Sequence, residues 1–227
     1  MKNRVFCFLF VLLIVGTSTK GFAEGPSYGY TSLENKSISK KGPYYFLKGG
    51  AFLPNNGNND NITSGGLNNF DIGPNIEGGI GTRGEYMSLE IGLGYYSTSY
   101  KGTSDIPDIS GNYEINVSAI PLTFSIIGIY PTKVFDYYLG AGAGVYFSNA
   151  DLKINTNSGN GSIGDSNTSF GYHVLGGIDC NLSENIAIGV DAKWFNTTAN
   201  YSNKGLSFND YDIGGTVVRL GFKYRMW

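Results

Sequence analysis

Met87-Ser88-Leu89-Glu90-Ile91-Gly92-Leu93-Gly94-Tyr95-Tyr96 alternates in chemistry with a period of two. Met87, Leu89, Ile91, Leu93 and Tyr95 share one face of an extended chain, and Ser88, Glu90, Gly92, Gly94 and Tyr96 share the other. Successive side chains of a β-strand point to opposite faces, so this run is a strand with one apolar face and one small or polar face. Ten residues are enough to cross a bilayer at a tilt of about 45°.

The pattern recurs outward from this run. Phe70 to Gly81, Phe170 to Leu182, Ile186 to Phe195 and Val218 to Met226 alternate in the same way, and Tyr44 to Leu53, Tyr113 to Tyr130 and Tyr137 to Phe147 do so less regularly. That makes eight expected strands. Short turns are expected at Thr82 to Tyr86, Pro131 to Asp136 and Ser183 to Asn185. Long polar loops are expected at Pro54 to Asn69, Ser97 to Asn112, Ser148 to Ser169 and Asn196 to Tyr211. Three short and four long connections place both termini on the short-turn side. This is the layout of a transmembrane barrel with short periplasmic turns and long external loops.

A soluble barrel or sandwich also alternates, but it needs its bulky apolar face inside. Here the other face is mostly Gly, Ser, Asn and charge, which suits a narrow lumen. Aromatic residues gather near the strand ends, Tyr44, Tyr45, Tyr86, Tyr130, Tyr137 and Tyr138 by the turns and Tyr95, Phe147 and Trp194 by the loops, as at membrane interfaces. The fold expected is all-β: an eight-stranded antiparallel transmembrane up-and-down β-barrel.

Composition agrees. The 227 residues include 34 Gly, 17 Tyr and 14 Phe with only 15% charged residues, and mean hydropathy is -0.12. The first 23 residues read as a signal peptide, with Lys2 and Arg4, an apolar run from Val5 to Val15, and a small-residue site ending at Ala23. Eleven helical residues rise only about 16 Å, too little for a hydrocarbon core of roughly 30 Å. Residues 24–42 are a polar periplasmic lead-in, and 43–227 form the barrel. Removing Lys2, Arg4 and Lys20 leaves 13 basic and 18 acidic residues, so nothing favours nucleic acid as a partner. Cys180 is the only cysteine left after cleavage, which excludes an intramolecular disulfide and a cysteine-based zinc site. No cofactor or metal site is expected.

The chain resembles the small outer-membrane β-barrel proteins of Gram-negative bacteria, the OmpW-like and OmpA-barrel-like group. Ile120-Pro121-Leu122-Thr123-Phe124-Ser125, Tyr138 to Phe147, Phe170-Gly171-Tyr172-His173 and Leu220 to Trp227 carry the resemblance, which covers the chain from about Tyr44 to the end. It implies integral outer-membrane localisation, contact with outer-membrane lipid and lipopolysaccharide, and insertion by the barrel-assembly machinery. Trp227 resembles the terminal aromatic residue read by that machinery. It shares parity with Arg225 and Lys223, so either the chain bulges at its end or Met226 takes the outward place.

Inward parity marks a polar network of Lys48, Lys193, Arg219 and Lys223 with Glu77, Glu90, Asp179 and Asp191. Lys48 is expected to meet Glu77, and Arg219 to meet Asp191, because unpaired charges in so narrow a lumen would be costly. His173, the only histidine, joins this network as a hydrogen-bonding residue. No nucleophile is placed beside it by sequence, so no catalytic residue is expected and the protein is not read as an enzyme. Tyr96, Tyr146 and Phe195 face inward near the loops as candidate lining of an apolar pocket. Pro74 and Pro121 each remove a backbone donor and are candidate weak points in the wall. Together these favour passive binding or transport of a small hydrophobic ligand, an activity associated with the OmpW-like group. The other reading is a structural or surface-interaction barrel without transport.

Overall fold

The computed structural model describes residues 39–55, 71–106, 109–156, 159–203 and 206–226. The signal-peptide expectation, most of the lead-in and Trp227 lie outside these residues. The strands are β1 (Gly42–Pro54), β2 (Gly73–Arg83), β3 (Met87–Ile106), β4 (Ile109–Pro131), β5 (Phe135–Thr156), β6 (Gly159–Asn181), β7 (Ile186–Asn203), β8 (Leu206–Asp212) and β9 (Gly215–Arg225). Each of β1 to β6 pairs with the next, β6 pairs with β7, β7 with β9, and β9 with β1. Eight antiparallel strands therefore close a ring, and closure leaves no unpaired edge within the wall. The short strand β8 stands outside that ring, paired to the end of β7 alone.

The wall is apolar on its outside. Phe170, Tyr130 and Leu220 are 82%, 72% and 71% exposed, in company with Leu47, Ile80, Ile91, Leu122, Phe124 and Phe222. Outward rows across β4 and β5 run from Ile120↔Phe147 down to Tyr130↔Tyr137. Ten residues at about 3.4 Å each, tilted by about 45°, give a belt roughly 24 Å tall, close to the ~25 Å band of outer-membrane barrels. Exposed side chains of this kind in such a band face lipid, not water.

Three of the four expected long loops depart from expectation, and the fourth, Pro54–Asn69, lies outside the described residues apart from Pro54 and Asn55. Ser97–Asn112 and Ser148–Ser169 were expected to be loops, but β3 and β4 stay paired to Ile106↔Ile109, and β5 and β6 to Thr156↔Gly159. Asn196–Tyr211 likewise continues β7 and adds β8. The cause is a change of phase rather than an end of strand. Above the belt, β4 turns Ser118 and Asn116 outward while Val117 and Ala119 are buried inward. Val117, Ala199 and Ile213 form a small core there, with Ile115 and Ala150 against it. The apolar face has moved to the inside, as water on the outside requires.

Candidate functional site

Going inward through the wall, the small residues of the inner face have a use. Tyr44, Phe46, Tyr138 and His173 lie directly across from Gly81, Gly79, Gly177 and Gly142 on neighbouring strands. A Cβ on Gly142 would sit 2.6 Å from His173 Nε2, and one on Gly177 would sit 2.6 Å from the Tyr138 hydroxyl. The glycines make room for large side chains that lean across the ladder, a cross-strand packing device of β-sheets.

Lys48, Glu77, Glu90, His173, Asp179, Asp191, Lys193, Arg219 and Lys223 are all buried on this inner face. Arg219 binds Asp191 through Nε at 2.6 Å and Nη2 at 2.9 Å, and its Nη1 donates to Glu77. Lys193 donates to Glu77 at 2.8 Å. Lys48 is the register partner of Glu77, yet its ammonium lies 3.1 Å from Glu90 and 3.1 Å from Asp191 instead. Lys223 meets Asp179 at 2.8 Å and Glu90 at 3.5 Å. Charges from β1, β2, β3, β6, β7 and β9 thus form one network across the lumen. Each ion was taken out of water, and Lys48, Glu77, Glu90, Asp191, Arg219 and Lys223 offset that cost by meeting two opposite charges each.

Sequence reasoning missed three further charges at the turn end. Arg83 grips Asp136 with contacts of 2.9 and 3.1 Å, and Arg225 donates to Asn181 at 2.8 Å. Arg83 and Asp136 were assigned to turns, although their parity with Gly81 and Tyr146 already put them on the inner face. With them, the buried inner face carries, among the described residues, six cations (Lys48, Arg83, Lys193, Arg219, Lys223 and Arg225) and five carboxylates (Glu77, Glu90, Asp136, Asp179 and Asp191).

His173 has a neighbour that sequence did not supply. Ser125 of β4 lies 2.8 Å from its Nε2, while Nδ1 has no partner. Ser125 could have been found from its inward parity in Thr123-Phe124-Ser125-Ile126, but not its meeting with His173 two strands away. Both residues are buried in the lumen, 3% and 1% exposed. Among the described residues no third group orients His173 through Nδ1, as the acid of an acyl-transfer triad does.

Tyr96, Tyr146 and Phe195 lie together near the outer rim, but they fill the space they were expected to line. They pack with Phe52, Ala119 and Val217 into one cluster. Ring centroids are 4.5 Å apart for Phe52–Tyr96, 5.3 Å for Tyr96–Phe195 and 5.5 Å for Tyr146–Phe195. The Tyr96 hydroxyl donates to the Ile213 carbonyl at 3.1 Å, tying this layer to the segment above it. Below it, at the turn end, a cavity of about 10 Å³ remains, room for about one water molecule.

Pro74 and Pro121 are each paired on one side. Pro74 faces Ala51 of β1, and Pro121 faces Tyr146 of β5. Toward β3, the β2 pairing begins only at Asn75↔Tyr96. The β3–β4 pairing breaks between Leu93↔Leu122 and Tyr96↔Ala119. Both interruptions flank the same stretch of β3, where proline has no N–H to give.

A closed eight-stranded barrel with a lipid-matched belt and a polar, ion-paired interior defines an integral outer-membrane protein. The chain belongs to the outer membrane protein beta-barrel domain family, whose family model matches residues 16–225. Among solved structures, Neisserial surface protein A is similar at 13% identity and TM-score 0.47, over 81% of this chain and 96% of that one. Ail, the attachment invasion locus protein of Yersinia pestis, in complex with the heparin analogue sucrose octasulfate, is similar at 12% identity and TM-score 0.44, over 82% and 100%. The N-terminal β-barrel domain of Pseudomonas aeruginosa OprF is similar at 13% identity and TM-score 0.37, over 81% and 97%. Comparison with curated proteins finds no match.

Proposed function

We propose that this barrel is a closed membrane anchor that presents its outer strand extensions and loops at the cell surface, where they contact lipopolysaccharide or an external partner. The observation that carries this reading is the filled interior. The network around Arg219 and the ring cluster around Phe195 occupy successive layers of the lumen. Ligand sites in proteins are typically clefts of about 300–1,000 Å³, and a small hydrophobic solute needs a dry pocket of its own. The strand extensions favour presentation, because paired strands hold their polar outer face in a fixed geometry. No catalytic step is assigned to Ser125 and His173.

The test is conductance and flux. The mature barrel, folded into a planar bilayer, is expected to give no unitary current steps above leak, and vesicles containing it no saturable uptake of a hydrophobic dye. Steady ohmic steps or saturable uptake would overturn the reading.

The interrupted pairings of β3 favour a second reading, lateral passage of an apolar solute through the wall near Pro74 and Pro121. Under it, dye uptake is present and is abolished when Gly94→Cys and Pro121→Cys are oxidised to a cross-link.

A further inference from the structure

Among the described residues, the buried cation Arg225 at the turn end of the lumen has only a distant carboxylate partner and no hydrogen bond to one. Asp136 is taken by both terminal nitrogens of Arg83 and by Asn181 Nδ2 at 2.8 Å. Asp179 is taken by Lys223. Arg225 is left with the Asn181 amide oxygen, and its approach to Asp136 is 3.8 Å, beyond hydrogen-bond distance. Its Nη1 is buried and has no hydrogen-bond partner, in a residue 2% exposed.

Arg225 lines the cavity of about 10 Å³, together with Arg83, Lys223, Tyr44 and Tyr138. Three cations and the two carboxylates Asp136 and Asp179 meet around this space. A guanidinium is always charged and carries donors only, so a buried free Nη1 calls for an acceptor. Water would satisfy the hydrogen bond but add no charge to the single distant contact that Arg225 makes with Asp136. A monatomic anion satisfies both, and a phosphate or sulfate is too large for the space. We propose that this cavity is a binding site for a small monovalent anion, chloride in the simplest case, held by Arg225 Nη1 between Arg83 and Lys223. Such an ion would balance the charge of the described lumen residues and fasten β9 to β2.

Bromide is the reporter. Crystals of the mature protein grown with sodium bromide are expected to show an anomalous peak within hydrogen-bond distance of Arg225 Nη1. The peak also separates a free halide from a carboxylate of the chain itself, which would occupy the same donor without a signal. In solution, the temperature at which the folded gel band is lost is compared in sodium chloride and in sodium gluconate at equal ionic strength. Chloride at ten times its dissociation constant should raise that midpoint by about 4 °C. Arg225→Met should abolish the difference, and Arg225→Lys should retain part of it. If Arg225→Met does not fold, the bromide map of the unaltered protein decides alone. A map with no halide peak, or an equal chloride effect in a folded Arg225→Met barrel, would overturn the proposal.

Discussion

Replacing Glu77 with Gln removes one charge from the lumen and strands another. The Glu77 carboxylate receives Lys193 at 2.8 Å and Arg219 Nη1. Arg219 keeps Asp191 through two bonds when Glu77 is lost. Lys193 has no second carboxylate among its described ion pairs, and its side chain is only 5% exposed. Breaking a buried pair from one side costs about 3–5 kcal/mol, since the remaining charge is neither solvated nor matched. The Gln amide oxygen can still accept one hydrogen bond, which recovers about 1 kcal/mol. Glu77→Gln should therefore cost about 3 kcal/mol of unfolding free energy. Lys193→Met should cost less, about 1–2 kcal/mol, because Glu77 retains Arg219. The double variant loses both charges together and should cost about 2 kcal/mol less than the sum of the singles. Urea unfolding of the mature barrel in lipid vesicles, read by Trp fluorescence and by the heat-sensitive gel band, measures all three. A Glu77→Gln effect below about 0.5 kcal/mol, or strict additivity, would mean that water screens these charges. The lumen would then be an aqueous passage, and the filled-interior argument would fail with it.

Phe195→Ala should cost about 3–5 kcal/mol in the same assay, because its ring contacts Phe52, Tyr96 and Tyr146 at once. Phe124→Arg, placed near the middle of the lipid-facing belt, should cost about 2–4 kcal/mol, whereas Asn116→Arg on the outer face above it should stay within about 0.5 kcal/mol. Equal effects would misplace the membrane boundary. Gly142→Ala should cost about 1–3 kcal/mol, since its Cβ would lie 2.6 Å from His173 Nε2 and closer still to the Phe124 carbonyl oxygen. Full stability of that variant would mean His173 does not lean over Gly142.

The strand period was legible because the wall separates two environments all the way round. Met87 to Tyr96 alone fixes which residues face lipid, and the parity of Lys48, Glu77 or Asp191 follows without knowledge of any partner. Their pairings were not legible. Lys48 and Glu77 face each other in register, yet the long lysine stem crosses to Glu90 on β3 and Asp191 on β7. That choice depends on strand tilt, barrel stagger and on Arg219 and Lys193 already holding Glu77. The same holds for Ser125 and His173, which no spacing in the sequence connects. The strand extensions were hidden for another reason. Ser, Asn, Gly and Asp are abundant from Ser148 to Ser169, and these residues favour turns when read one at a time. Their partners across the ladder decided otherwise.

One signal in the sequence does mark where lipid gives way to the outer layer. Six strands carry adjacent apolar residues there: Phe52-Leu53, Tyr95-Tyr96, Ala119-Ile120, Tyr146-Phe147, Trp194-Phe195 and Val217-Val218. Adjacent residues in a strand point to opposite faces, so each pair breaks the alternation on purpose. Leu53, Tyr95, Ile120, Phe147, Trp194 and Val218 are the outward members, exposed on the lipid-facing side. Phe52, Tyr96, Ala119, Tyr146, Phe195 and Val217 are the inward members, and together they are the entire ring cluster. Below the pairs the apolar face must point out to lipid, and above them it must point in, away from water. Six of the eight ring strands change phase in this way by being apolar on both faces for one step. The lumen plug is therefore the inner half of the membrane boundary. A transport function would have to open the same layer that anchors the barrel at its outer interface, which is the physical reason to read this protein as a presenting anchor rather than a conduit.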